Sequence, residues 1–357
     1  MIALEVSPAA VKPPYGGVGG TIRALVLELL AQDPAMPYAL CYRFGRFRRG
    51  NLFRPDARNA RVRVLIDPLN ALLVPGARLL HSMGVYMPRT PRVPKLVTIH
   101  DLNAVRNVAW VKASWHEKRS AKIAQAIARS DHVMTYSSFT AEEIREDYGL
   151  APERVHPVLL GVDTARFAPP SADAVRSLRA KHGDYVISIG LLTARKNFVR
   201  LIEAMERLPE LRLILVGRGS DGEAEVEAAL DRTGMRARTL RMTGLPEPEL
   251  VALIGAARAC AVPSLYEGFG LTTLEAMACG TPVVCSNAAS LPEAAGDAAL
   301  LVDARSSEAL EVGLRRAVYD SALADDLRAR GLARARAMSW AASARRLRAV
   351  YRTIAGI

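Results

Sequence analysis

The sequence predicts an α/β protein made of two doubly wound, Rossmann-like domains. Three observations carry that reading. The chain has 357 residues, more than one ordinary core organises. Short β-branched runs alternate with amphipathic helical stretches, the pattern of a parallel sheet with helical crossovers. The alternation breaks at GVDTARFAPPSAD, residues 161–173, where Gly, Asp and a Pro-Pro pair interrupt the periodicity, and then starts afresh.

In the first half, the runs predict strands over 2–6, 62–66, 95–99 and 132–136, with helices over 21–31, 117–129 and 140–148. After the break, strands are expected in YVISIG (185–190), LRLILVG (211–217), TLRMTG (239–244), ACAVPS (259–264), PVVCS (282–286) and AALLVD (298–303). Helices are expected in NFVRLIEAMERL and PELVALIGAA, and the chain from 306 to 357 reads as helical. The domains are drawn at 1–165 and 166–338, with a terminal helix at 339–357. In such sheets, ligands bind beyond the carboxyl ends of the strands.

Composition excludes several classes. No apolar run reaches the roughly 20 residues that span a bilayer, and the N-terminus shows no basic region ahead of an apolar one. The four cysteines lack zinc spacing and read as small buried hydrophobes in a reducing, cytoplasmic setting. The net charge is +12, of which +8 falls in residues 1–165. It is densest at 42–63, with eight arginines, one acid and four aromatics. That stretch suits an anionic membrane surface, making the protein peripheral on the inner face of the cytoplasmic membrane. Equally, it fits the general Ala/Arg bias of the chain. Nucleic acid is not the partner expected.

Four polar or glycine-rich motifs fall at predicted strand ends. YGGVGGTIRAL, with Gly16 and Gly17, opens the first helix, where backbone N–H groups favour an anion. It matches neither G-x-G-x-x-G nor a P-loop. TIHDLNA places His100 past a strand, and GLLTARKN does the same for Arg195 and Lys196. Two cations ahead of a helix are unfavourable unless an anion offsets them. The fourth motif, YEGFGLTTLEAMACG, holds Glu267 and Glu275. Thr272 and Glu275 read as a capping box that would account for Glu275 structurally. Nothing of the kind accounts for Glu267, and Gly268 and Gly270 leave bare N–H donors beside a helix start, a setting for phosphate. A sugar joined to a ribose through a diphosphate offers groups for all of these.

EGFGLTTLE resembles the E-x7-E motif of the retaining GT-B glycosyltransferases, specifically glycosyltransferase family 4. The motifs above, together with MTYSSFTAEEI, LVGRG, TGLPEPELVALIGAARACAVPSLYEGFG and EAMACGTPVVCSNAASLPEAAGDAALLVD, match it in order over most of the chain. Within the family, the chain looks most like bacterial mannosyltransferases of surface-polysaccharide assembly.

The resemblance implies two domains facing across a central cleft, the first holding the acceptor and the second the nucleotide sugar. The final helix, WAASARRLRAVYRTIAGI, would cross back to the first domain. Glu267 would contact the transferred sugar, and Glu275 the ribose. The N–H groups of Phe269 and Gly270 would face the sugar, and those of Leu271 and Thr272 the diphosphate. Arg195 and Lys196 would neutralise the leaving group, with His100 at the sugar's reacting face and Gly17 against the phosphates. The base would lie near Gly244–Leu245.

No Asp-x-Asp metal site is evident, so side chains would stand in for a divalent ion, with no cofactor beyond the donor. The expected activity is retaining transfer of mannose from GDP-mannose to a saccharide or lipid-linked saccharide. Glucosyl or rhamnosyl transfer, a sugar-nucleotide epimerase or hydrolase, and a polyanion-binding protein are the alternatives.

Overall fold

The computed structural model describes all residues except 12–16, 68, 70–73, 90–92 and 111–112. The chain folds into two compact units, one of Met1–Leu160 with Trp340–Ile357, the other of Gly161–Ser339. The first junction thus falls between Leu160 and Gly161, where the sequence predicts it after residue 165. Each unit is a parallel sheet with helical crossovers, the architecture expected from the alternation.

The first unit's sheet comprises β1 (Ile2–Glu5), β2 (Tyr38–Arg43), β3 (Ala60–Leu65), β4 (Leu79–Ser82), β5 (Lys95–Thr98), β6 (His132–Thr135) and β7 (Val155–Pro157). Their spatial order is β3-β2-β1-β4-β5-β6-β7, so the winding reverses between β1 and β4. Three of these strands are missing from the sequence expectation. β2 is YALCYR, buried on both faces except at its last residue, so it shows no alternation. β4 and β7 are four and three residues long, too short for a periodic signal. Helices start earlier than their apolar periodicity suggests, at Gly17, Ala113 and Ser138, because first turns are polar or glycine-rich. The core of this unit gathers Ala3, Leu80, Val97, Ile99, Ile123, Ile127, Val133 and Ile144.

The basic stretch is divided by this fold. Tyr42 and Phe53 are core residues, joined by a hydrogen bond from the Tyr42 hydroxyl to the Phe53 carbonyl (2.7 Å). Phe44 and Phe47, on the short helix Phe44–Arg48, are exposed among arginines.

The terminal helix Trp340–Ala355 packs within the first unit against the helix Gly17–Gln32. Gln32 Nε2 donates to the Ala341 carbonyl (2.8 Å), Arg348 pairs with Asp33 (2.7 Å), and Ser343 donates to the Leu159 carbonyl (2.8 Å). Its deepest contact is Tyr351, whose hydroxyl lies 2.7 Å from His81 Nδ1, while His81 Nε2 lies 2.8 Å from Thr98 Oγ1. All three side chains are buried. Burial, with a smaller contribution from His100, lowers the His81 pKa to about 3, so the ring is neutral near neutrality.

The second unit's sheet runs β10 (Thr239–Met242), β9 (Arg212–Val216), β8 (Tyr185–Ile189), β11 (Ala259–Val262), β12 (Val283–Ser286), β13 (Leu300–Val302). All strand pairs are parallel, and the order reverses between β8 and β11. Helices Phe198–Glu206 and Glu223–Arg232 close one face around Leu201, Leu213, Leu215 and Val226, with Leu314 from the helix Ser307–Tyr319. All four cysteines are reduced and buried. Among the described residues, no helix is long and apolar enough to cross a membrane.

Tyr351→Phe is expected to leave a fully buried imidazole nitrogen without its partner. The loss should be about 1–3 kcal/mol, read as a lower denaturation midpoint of the full chain.

Candidate functional site

The reversal between β8 and β11 directs the loops that follow these two strands apart and leaves their carboxyl ends open. The loop after β8 carries Arg195 and Lys196 in a single 3-10 turn, Ala194–Lys196. It is held by Asn197, a non-glycine residue at φ 59°. The buried Asn197 side chain donates to the carbonyls of Pro263 (3.0 Å) and Ala304 (2.7 Å), tying this loop to the ends of β11 and β13. Gly190 lets the lysine through: a Cβ there would stand 2.7 Å from Lys196 Cε.

The loop after β11 returns Glu267 to these cations. Its carboxylate takes Lys196 Nζ at 2.6 Å on Oε1 and Arg195 Nη1 at 2.9 Å on Oε2. Ser264 Oγ adds a hydrogen bond to Oε1 at 2.8 Å. The loop backbone is pinned in parallel, since Arg195 Nη1 also donates to the Tyr266 carbonyl (3.1 Å) and Ser290 Oγ to that of Glu267 (2.7 Å). Burial alone would raise the Glu267 pKa. Lys196 and Arg195, with the hydrogen bonds from Lys196 and Ser264, outweigh it and hold the carboxyl at about 2. The anion that the sequence requires beside the two cations is therefore Glu267 itself, and the trio carries one net positive charge. Asn197, Ser264 and Ser290 escaped the sequence reading, because a buried amide and two small hydroxyls carry no motif until the loops meet.

The capping-box expectation fails. The helix is Leu271–Ala278, and its N-cap is Gly270 at φ 100°, not Thr272. Gly270 takes the position because a side chain there is strained and a Cβ would lie 2.6 Å from Leu291 Cδ2. Thr272 is therefore inside the first turn, and its hydroxyl does not cap the helix. The N–H groups of Leu271 and Thr272 find no backbone acceptor among the described residues, and Phe269 is buried beneath the loop. Glu275 is half-buried, and its carboxylate makes no hydrogen bond among the described residues. Burial raises its pKa, partly offset by Arg166 and Lys196. Leu245 is half-buried after β10, next to Gly244 at φ 69°.

The first unit holds the other predicted residues. His100, just past β5, is buried, with Nε2 3.2 Å from the Met83 carbonyl and its ring 5.1 Å from that of Tyr136. A carbonyl only accepts, so Nε2 carries the proton. Burial first, then Arg119, lowers its pKa to about 4, despite the Met83 contact. The ring is thus neutral at pH 7. Gly17, at φ 55°, begins its helix and is exposed, and Gly16 lies outside the described residues.

Cations and carboxylates thus gather past the strand ends of a doubly wound sheet, and comparison with known proteins gives the class. A model of the group 1 glycosyl transferases matches residues 172–334, and one of glycosyltransferase family 4 matches 16–166. The chain belongs to glycosyltransferase family 4 and is a GT-B glycosyltransferase. It is 33% identical to the O-antigen chain mannosyltransferase B of Escherichia coli over 279 residues, 73% of this chain and 70% of that one. It is 31% identical to a D-inositol 3-phosphate glycosyltransferase of Segniliparus rotundus over 276 residues, 73% of this chain and 61% of that one. In fold it is similar to the sucrose-phosphate synthase of Thermosynechococcus elongatus, with a TM-score of 0.78, 22% identity and coverage of 99% and 98%.

The Glu267 pairing should show in acid. Its pKa is depressed from the ordinary 4.5 to about 2, so its contribution is complete above pH 4.5 and fades as pH falls towards 2. Denaturation at stepped pH should find the wild type ahead of Glu267→Gln near neutrality, with up to about 3 kcal/mol of that advantage lost over this window.

Proposed function

We propose that this glycosyltransferase moves mannose from GDP-mannose to a saccharide or lipid-linked saccharide acceptor during assembly of a bacterial surface polysaccharide, retaining the anomeric configuration. The observation that carries the chemistry is the grouping of Arg195, Lys196 and Glu267 beside the Gly270-capped helix start, with Glu275 unsatisfied on that helix. The likeness to the mannosyltransferase of E. coli favours mannose over glucose or rhamnose.

In this reading, an acceptor hydroxyl attacks the anomeric carbon as its bond to the diphosphate breaks. The hydroxyl proton passes to a phosphate oxygen of the departing nucleoside diphosphate, which balances the step. Negative charge grows on that diphosphate. Arg195, Lys196 and the N–H groups of Leu271 and Thr272 offset it without reorganising, because the loops already hold them. Glu267 holds the two cations in place and accepts from sugar hydroxyls. Glu275 accepts from the ribose, the backbone at Gly244–Leu245 contacts the base, Gly17 approaches the phosphates, and neutral His100 attends the sugar's reacting face. The exposed Phe44 and Phe47, with the arginines around them, would bring the enzyme to an anionic membrane. Liposome co-sedimentation that ignores the anionic-lipid fraction would count against that docking.

A thermal-shift panel of GDP-, UDP-, dTDP- and ADP-sugars tests the donor. GDP-mannose should stabilise the enzyme by about 2.7 kcal/mol at a hundred times its Kd, and silence from all four would remove the donor reading. Donor breakdown without any acceptor would favour a hydrolase or epimerase, and an inverted product would rule out retention.

Among variants, Arg195→Ala or Lys196→Ala should lower kcat by roughly 100- to 1,000-fold. Glu275→Gln should act mainly on the donor KM, by on the order of ten-fold. Salt-sensitive polyanion binding untouched by Glu275→Ala would instead point to a binding protein.

A further inference from the structure

The first unit has its own strand reversal, between β1 and β4, and a cavity of about 350 Å³ opens at that point. Its floor is Glu5 at the end of β1, with Gly84 and Tyr86 beyond β4 and His100 beyond β5. Its walls are cationic: Arg43 ends β2, Arg46 follows on the next helix, and Arg119 and Lys122 come from the helix Ala113–Ala128. A volume of this size accommodates a phosphorylated sugar headgroup.

The hydrogen-bonding inventory of this cavity is one-sided. A neutral saccharide presents hydroxyl donors and is ordinarily met by carboxylates and amide oxygens. Here the wall offers one side-chain amide, Gln125, and one carboxylate that is already hydrogen-bonded within the protein. Glu5 Oε1 accepts from the Ser7 N–H (3.2 Å) and lies 3.6 Å from Arg43 Nε, while Oε2 lies 3.5 Å from Ser82 Oγ. Burial, moderated by Ser7 and Arg43, raises its pKa, which weakens it further as an anion.

Three of the four cations, Arg46, Arg119 and Lys122, make no ion pair among the described residues. Arg119 and Lys122 are three residues apart on one helix face, a like-charged spacing that costs a helix stability unless an anion offsets it. Arg43 is already oriented, with its guanidinium 4.9 Å from the Tyr86 ring centroid and held by Glu5. Net charge on the wall is about three positive, which matches a phosphate or diphosphate and exceeds what a single carboxylate supplies.

We infer that this cavity binds the acceptor through a phosphate or diphosphate group, held by Arg43, Arg46, Arg119 and Lys122, with its hydroxyl-bearing end towards His100. The inference rests on the transferase reading and narrows the acceptor to a phosphate-bearing one. The phosphate comes either from a soluble sugar phosphate or from a lipid-borne headgroup, and both share this chemistry.

The test titrates inorganic pyrophosphate into the full-length enzyme saturated with the nucleoside diphosphate that the donor panel selects. Pyrophosphate should still bind under saturation. The double variant Arg119→Gln/Lys122→Gln should weaken it at least about ten-fold while leaving nucleoside diphosphate affinity unchanged. Phosphatidylcholine vesicles carrying farnesyl diphosphate or farnesol separate the sources. Capture of the first alone identifies a lipid-borne group, and pyrophosphate binding with capture of neither identifies a soluble one.

Displacement of pyrophosphate by the nucleotide would place its site with the donor and overturn the inference. So would indifference to the double variant, or equal capture of both vesicles. If no nucleoside diphosphate binds at all, the donor reading has failed. Pyrophosphate titrated into Arg195→Ala, with and without the double variant, then still decides for or against this cavity.

Discussion

The ion pairs of Glu267 with Arg195 and Lys196 couple two loops at the strand ends of the second unit. Those loops leave β8 and β11, strands that are neighbours in the sheet but lie on opposite sides of its reversal. No crossover helix lies between their carboxyl ends, so side chains must fix their spacing. The carboxylate does so at 2.6 and 2.9 Å, and Asn197, Ser264 and Ser290 lock the backbone around it. An isolated surface pair would contribute little. This one is largely buried and hydrogen-bonded on both carboxylate oxygens, so removing the carboxylate would strand two cations.

That arrangement makes Glu267 a structural residue, to which the proposed reaction adds a chemical part. Two cations alone would repel one another and compete for water, whereas the trio keeps one net positive charge in a preorganised geometry. In the proposed reaction, charge developing on a departing diphosphate would meet it without rearrangement, which is how electrostatic catalysis gains most. Glu275 contrasts with it. Its carboxylate is half-buried and engaged by no hydrogen bond among the described residues, so it is not spent on capping the helix.

The first unit repeats the architectural logic with opposite detail. Its reversal lies at β1 and β4, and the residue at the end of β1 is a buried acid. Around that acid the wall is basic. The arginines at 43 and 46, which read in the sequence as part of a diffuse basic surface, belong to a concave site once β2 and the helix after it are in place. Tyr42 and Phe53 of the same stretch are core. Composition could not separate these roles, because charge density along a chain says nothing about which side of a strand each residue occupies.

From the sequence alone, the two-domain parallel architecture followed from β-branched runs and helical periodicity, and the family from the ordered motifs around Glu267. The strings just past predicted strands singled out His100, Arg195 and Lys196, and YEGFGLTTLE singled out Glu267 and Glu275. Short or doubly buried strands such as LLHS and YALCYR were not, because local pattern needs length or a polar face to register. The tertiary structure alone decided that Gly270, and not Thr272, begins the helix. The reason is the side chain of Leu291, 21 positions along the chain, which leaves no room for a Cβ there. It also decided that the anion offsetting Arg195 and Lys196 is Glu267, a pairing across more than 70 residues that only the packed sheet brings within hydrogen-bond reach.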